Sequence, residues 1–186
     1  MKLVAATGNA HKLREMREIL TGFEILSQAE SGFHGEVEEA GTTFLENALL
    51  KARAVCRATG LPALADDSGL CVDALGGAPG VYSARYSGGG DGENRALLLK
   101  NLSGESNRRA HFCCALALVF PDGREVTAEG RTYGEILHEE RGTGGFGYDA
   151  LFLSDDLHKS FAEASEAEKN SVSHRGRALA ELKSRL

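Results

Sequence analysis

The stretch Leu3-Val4-Ala5-Ala6-Thr7-Gly8-Asn9-Ala10-His11-Lys12 decides the architecture. Its apolar half reads as a buried strand and the break at Thr7-Gly8-Asn9 as a turn. Asn9 is then the N-cap of a helix whose inner face is Leu13, Met16, the stem of Arg17 and Leu20. A strand feeding a helix through a tight glycine turn is an α/β element. It leaves backbone N–H groups at the helix start, where the dipole is positive and a lysine one turn in can reach an anion's oxygens. Taken alone, the same residues also describe a plain turn, so a phosphate site needs support from elsewhere in the chain.

Moving outward, Phe23 to Leu26 reads as a short strand, followed by an acidic loop with Glu36, Glu38 and Glu39. A long helix then begins at a capping box made by Thr43 and Glu46, with Leu45, Ala48, Leu49, Ala52, Val55 and Cys56 as its apolar stripe. Asn47 and Lys51, four residues apart, share a different face. Ala63-Leu64-Ala65 reads as a strand ending at Asp66-Asp67-Ser68-Gly69, with a second strand near Leu70 to Leu75. A short helix is expected from Asp91 to about Leu102. Ala110 to Phe120 and Glu125 to about Glu129 form a hairpin around Pro121-Asp122-Gly123-Arg124, so part of the sheet is antiparallel. Ala150 to Leu153 reads as a last strand, Ser165 to Lys169 as a helical patch, and the chain closes on a helix after Ser173. No repeat or low-complexity tract interrupts this order, so residues 1–186 are expected to fold as one unit.

Size and composition bound the function. A chain of 186 residues is long enough to bury a core. No apolar run approaches the roughly 18 to 20 residues that span a bilayer, and the start carries no signal-peptide pattern, so a cytoplasmic protein without a membrane partner is expected. The four cysteines, Cys56, Cys71, Cys113 and Cys114, lie in apolar segments without C-x-x-C spacing and read as buried reduced thiols. Cys113 and Cys114 are adjacent on a strand and so point to opposite faces. A formal net charge of −6 without a Lys/Arg run argues against duplex nucleic acid. It leaves room for a small polyanion, because carboxylates can hold a divalent cation that inverts the local sign.

Three further groups bear chemistry. Asp66 and Asp67 are adjacent acids beside a glycine, a pattern that means a metal, a base or a solvated turn. On extended backbone only one of the two faces a given site, and the turn expected at Ser68-Gly69 favours Asp67. In the acidic loop Glu39 lies nearest the helix start and is the favoured second oxygen ligand for magnesium over Glu38, while Glu46 is occupied by the capping box. Gly142 to Gly147 matches G-x-G-x-x-G, but the dinucleotide fingerprint needs a strand before it and a helix after it, and here a strand follows. Phe146 and Tyr148 beside Asp149 suit either a flat ring, to stack on and to accept N–H bonds, or a tight turn with core aromatics. No Walker A pattern occurs. His174 and Arg175 sit at a helix start, where the dipole disfavours cations, which gives a ligand-facing role weight.

Six segments, taken in order, resemble the inosine triphosphatase family. They are Thr7 to Lys12; Glu39 to Phe44 with Glu46 to Ala48 and Lys51-Ala52; Ala65 to Leu70; Gly76 to Gly80 with Tyr82 to Tyr86; Gly144 to Asp149; and Ser173 to Gly176. The resemblance runs from the first strand to the last helix. It implies a mixed central sheet flanked by helices, two lobes with a nucleotide cleft between them, and a homodimer. It also implies magnesium-dependent hydrolysis of dITP, ITP and XTP to the monophosphate and pyrophosphate. Carried over by position, Thr7, Asn9 and Lys12 hold the triphosphate, Lys12 with a catalytic part in neutralising its charge, and Gly8, Ala10, His11 and Lys51 belong to the same substrate site. Asp67 is general base and metal ligand, and Glu39 its metal partner. Ser68, Phe146, Gly147, Tyr148, Asp149, Lys169, His174 and Arg175 complete the nucleotide site. Two rivals are a Maf-like nucleotide hydrolase, disfavoured by Phe146 to Asp149 and Ser173 to Arg175, and a nucleotide sensor without turnover, disfavoured by the presence of both Lys12 and Asp67.

Overall fold

The computed structural model describes residues 1–186. Six strands hydrogen-bond in the order β2-β1-β3-β4-β5-β6, with β1 Lys2–Ala5, β2 Glu24–Leu26, β3 Ala63–Val72, β4 Arg109–Val119, β5 Glu125–Ile136 and β6 Phe152–Ser154. β1 is parallel to β2 and to β3, whereas β5 and β6 are antiparallel, so the sheet is mixed. Five α-helices accompany it: α1 Ala10–Ile19, α2 Phe44–Thr59, α3 Asp91–Asn101, α4 Glu166–Val172 and α5 His174–Ser184. No helix is long and apolar enough to cross a membrane.

The chain divides into two compact units, one made of Met1–Asp67, Cys114–Gly130 and Arg177–Leu186, the other of Ser68–Cys113 and Arg131–Gly176. In the first, the period-two alternation of the strands sorts side chains to two faces. Leu3, Ala5, Leu64, Leu116 and Leu118 pack with Met16 of α1, with Leu20 at its C-terminal cap, and with Ala178, Leu179 and Leu182 of α5. Val4, Ala6, Ala63, Ala65, Ala117 and Val119 pack with Ala48, Ala52, Val55 and Cys56 of α2. The second unit is centred on Phe112, Phe152 and Phe161, joined by Leu98 of α3, by Leu102 at the C-terminal cap of that helix, and by Tyr148 and Leu151.

Several expected features take a different form. Asp66-Asp67-Ser68-Gly69 lies inside β3, not at a strand end, and the chain turns only after Val72, into a 3-10 turn at Asp73–Leu75. Two aspartates are tolerated within a strand here because each finds a buried polar partner, as described below. The capping box of α2 is half formed: Thr43 Oγ1 accepts from Glu46 N, but the Glu46 carboxylate reaches back to Thr42 N at 2.7 Å. β5 runs past Glu129 to Ile136, with Glu129, Arg131, Tyr133 and Glu135 exposed in alternation with buried residues. The segment before β6 is a 3-10 turn at Asp149–Leu151, so no α-helix follows the Gly142–Gly147 loop. Cys56, Cys113 and Cys114 are buried, Cys71 is half-buried, and none of the four forms a disulfide.

Candidate active site

Asn9 caps α1 as its type and position require, its Oδ1 accepting from His11 N at 2.9 Å and Lys12 N at 3.2 Å. Thr7 Oγ1 accepts from Asn9 N at 3.0 Å. The loop's own side chains thus hold N–H groups that the helix start would otherwise offer to an anion. Gly8, Asn9, Ala10 and His11 are exposed.

The alternation that builds the core also separates the two aspartates. Asp66 shares the α1 face with Leu64, and is fully buried there. Its Oδ1 lies 2.5 Å from Lys12 Nζ, and its Oδ2 accepts from Cys114 Sγ at 3.1 Å. Asp67 shares the α2 face with Ala65, and its Oδ2 accepts from Asn47 Nδ2 at 3.0 Å. Lys51, one turn further along α2, donates from Nζ to the Asp66 carbonyl and lies 3.1 Å from Glu39 Oε1. Glu39 is therefore the acid of the 36–39 loop that enters this cluster, while Glu36 and Glu38 are exposed.

Burial pushes the Asp67 carboxyl up to about 6 from an ordinary value of 3.8. Lys51, the Asn47 hydrogen bond and Lys12 pull the other way, and the charge of Glu39 adds to the upward push. A buried carboxylate whose neighbours include a second carboxylate gains from an added cation, and two carboxylates with water and phosphate oxygens make a magnesium donor set. No group of three or more His, Cys, Asp or Glu side chains is clustered for a metal. Any divalent ion here would therefore take its remaining ligands from substrate and solvent.

The second unit holds the other set. Lys169 Nζ lies 2.8 Å from Asp149 Oδ2, both side chains nearly buried, and 4.6 Å from the centre of the Phe146 ring. Phe146 N donates to Asp149 Oδ2 at 3.0 Å. Gly145, at φ +67°, permits this arrangement, because a Cβ there would collide with the Asp149 carboxylate. Phe146 is half-buried, so its ring is the aromatic surface within reach of a ligand.

Tyr148, expected to share the stacking role, is turned into the core. It is 5 % exposed and its hydroxyl donates to Ser83 O at 2.7 Å. Burial pushes its phenol well above the ordinary range. The Asp149 carboxylate, expected as an acceptor for ring N–H groups, is already engaged by Lys169 and Phe146 N. His174 and Arg175 are likewise buried: the His174 ring stacks on Phe112 at 4.8 Å, and Arg175 Nη2 donates to Ser68 Oγ at 3.0 Å.

Three contributors escape the sequence reading. Asn47 is expected only to share with Lys51 a helix face free to look into a cleft, and its pairing with Asp67, twenty residues on, leaves no local signal. Asp91 and Arg95 grip the Phe146-Gly147 loop, with Gly147 N donating to Asp91 Oδ2 at 3.0 Å and Arg95 Nη1 donating to Gly147 O at 2.8 Å. Their i,i+4 spacing on α3 is the only trace of this in the sequence.

Residues 3–185 match the Ham1 family. Among similar proteins, the dITP/XTP pyrophosphatase of Geobacter sulfurreducens is 53 % identical over 191 residues, covering 100 % of this chain and 96 % of that protein. The dITP/XTP pyrophosphatase of Haemophilus influenzae is 50 % identical over 193 residues, covering 100 % and 98 %. Among solved structures, a HAM1 protein from Coxiella burnetii superposes with a TM-score of 0.90 at 41 % identity, covering 99 % of this chain and 97 % of that one. The Staphylococcus aureus Ham1 protein gives 0.89 at 38 % identity, with coverage of 99 % and 97 %. With nearly its whole length matched in sequence and in fold, the chain belongs to the Ham1 family.

Proposed function

We propose that this protein hydrolyses dITP, ITP and XTP to the nucleoside monophosphate and pyrophosphate, and so clears deaminated purines from the nucleotide pool. The observation that carries the reading is the pairing of two ammonium groups with three carboxylates in one unit. Lys12 is held by Asp66, Lys51 by Glu39, and Asp67 is left with only an amide donor as its direct hydrogen-bond partner. Relatives at about half identity over the full chain carry the name dITP/XTP pyrophosphatase, which supports the same reaction.

In this reading Lys12 and Lys51, with the Thr7 to His11 loop, bind the triphosphate. Glu39 and Asp67 fit magnesium, which when bound neutralises charge on the phosphate oxygens. Asp67 orients a water and takes its proton; the water oxygen bonds to the α-phosphorus as the bond to the bridging oxygen breaks, and pyrophosphate leaves. Asn47 aims the carboxylate, and no covalent intermediate is required. Asp66 serves a different purpose from Asp67, fixing the Lys12 ammonium from below.

Phe146 stacks on the purine, with Lys169 and Asp149 beside it and Ser68, Gly147, His174 and Arg175 shaping the remainder. Tyr148 acts from behind as a support. A 6-oxo group accepts hydrogen bonds where the 6-amino group of adenine donates them, so donors placed for hypoxanthine or xanthine are left unpaired by ATP. Residues 1–186 act as one catalytic domain, in the cytoplasm, as a homodimer. The test is product analysis with dITP, XTP, GTP and ATP, with and without magnesium. Monophosphate and pyrophosphate from the first two alone, and only with metal, are expected; diphosphate with phosphate, or no turnover, overturns the reading.

A further inference from the structure

We propose that Asp91 and Arg95 are positioning residues for purine selectivity: from one face of α3 they hold both backbone polar groups of Gly147 and thereby fix the loop that presents Phe146. The inference rests on the reading of Phe146 as the purine-stacking residue, and concerns the recognition of 6-oxo purines at that site.

The geometry is specific to one peptide unit on each side of a single glycine. Gly147 has φ +60° and nothing near its Cα where a side chain would sit, so neither packing nor a side chain defines its conformation. What defines it is hydrogen bonding to α3. Asp91 is the first residue of that helix, where the dipole favours a carboxylate, and its Oδ2 accepts from Gly147 N at 3.0 Å. Arg95, one turn later, donates from Nη1 to Gly147 O at 2.8 Å. Its guanidinium is oriented by Glu140, whose Oε1 lies 2.6 Å from Nε. Both bonds to Gly147 are charge-assisted, the stronger class.

The neighbouring bonds carry that constraint to the ring. Phe146 N is held by Asp149 Oδ2, and the same oxygen pairs with Lys169, whose Nζ lies over the Phe146 ring. A loop fixed on both sides presents one ring plane and one set of polar groups. A loop freed at Gly147 can adjust to a purine with the wrong edge, and discrimination by unpaired donors then weakens.

The experiment compares Arg95→Leu, Arg95→Lys, Asp91→Ala, Asp91→Asn and Phe146→Ala with the unmodified chain, in steady-state hydrolysis of dITP, dGTP and dATP with magnesium. For Arg95→Leu and Asp91→Ala, KM for dITP is expected to rise about tenfold, the preference for dITP over dGTP to fall by about as much, and kcat to stay within about twofold. Asp91→Asn, which keeps an acceptor oxygen, retains near-normal selectivity, and Arg95→Lys recovers part of it. The inference is overturned if both truncations keep the original KM and selectivity while Phe146→Ala raises KM. It is equally overturned if the truncations lower kcat for all three nucleotides alike with a fall in melting temperature, which marks a merely structural contact. If Phe146→Ala leaves KM unchanged, the stacking reading itself fails, and the inference fails with it.

Discussion

Asn47 joins the Asp67 carboxylate to the Gly41 peptide: its Nδ2 donates to Asp67 Oδ2 at 3.0 Å and its Oδ1 accepts from Gly41 N at 2.8 Å. A carboxylate only accepts and a peptide N–H only donates, so the amide can sit one way round. The fit is tight, since a Cβ on Gly41 would lie 2.7 Å from Asn47 Oδ1. Asn47→Ala leaves a buried carboxylate without its amide donor and the Gly41 N–H without its acceptor. A loss of about 2 to 6 kcal/mol in stability is expected, at roughly 1 to 3 for each orphaned group. Because that bond lowers the Asp67 pKa, its removal moves the carboxyl further up. Urea unfolding and a carbon-13 titration of the Asp67 carboxyl in metal-free protein check the two parts.

Asp67→Asn is the direct test of the base. The substitution keeps size and an acceptor oxygen for Asn47 but cannot take a proton from water. A fall in kcat of about 10²- to 10⁴-fold is expected, with nucleotide affinity within about tenfold. Product release and isothermal titration with dITP measure the two separately, and undiminished turnover removes Asp67 from the mechanism.

The same substitution has the opposite effect on the metal-free fold. Asp67 holds its proton to about 6 when folded against an ordinary 3.8. Between those values the folded chain binds more protons than the unfolded one, so stability falls as pH rises through the window. The amide that replaces the carboxyl does not titrate. In chelator, Asp67→Asn is expected to match the unmodified chain near pH 4 and to exceed it by about 1 to 3 kcal/mol near pH 8. Melting curves across that range decide it; a difference independent of pH contradicts the assigned shift.

Lys169 and Asp149 form a buried pair at 2.8 Å, each side chain 6 % exposed. Removing one partner strands a charge, so Lys169→Ala is expected to destabilise the protein by about 3 to 5 kcal/mol. Combining Lys169→Met with Asp149→Asn neutralises both members and keeps an acceptor for Phe146 N. Most of the stability should return, while the cation over the Phe146 ring does not. Chemical denaturation of the single and double variants measures this, and a double variant no more stable than the single shows that the pair is not the cause.

How much of this is legible in the sequence depends on where each constraint acts. The β1 to α1 junction is readable because Asn9 caps its own helix within three residues. The separation of Asp67 from Asp66 is also readable, through strand alternation, although the expected turn at Ser68-Gly69 is absent. β3 continues because Lys12, Cys114 and Asn47, distant in the chain, satisfy two acids that would otherwise break a strand. The engagement of Asp149 by Lys169 and of Gly147 by Asp91 and Arg95 is hidden for the same reason. Local pattern carries no information about partners 20 to 56 residues away.

The loop 146–149 offers a last contrast, between two aromatic rings that look equivalent in sequence. Phe146 is half-buried beside Lys169, whereas Tyr148 is inside the core with its hydroxyl donating to Ser83 O at 2.7 Å. Stacking on a base is worth about 1 to 3 kcal/mol, so Phe146→Ala is expected to raise KM for dITP by about tenfold or more, with little change in melting temperature. Tyr148→Phe removes one buried hydrogen bond and leaves Ser83 O with only the longer bond from Asn94 Nδ2 at 3.5 Å. It should lower stability by about 1 to 2 kcal/mol while leaving KM near its original value. Kinetics and melting curves on both variants separate the roles. A KM that rises with Tyr148→Phe and not with Phe146→Ala would assign base recognition to the tyrosine hydroxyl and require the loop to open when nucleotide binds.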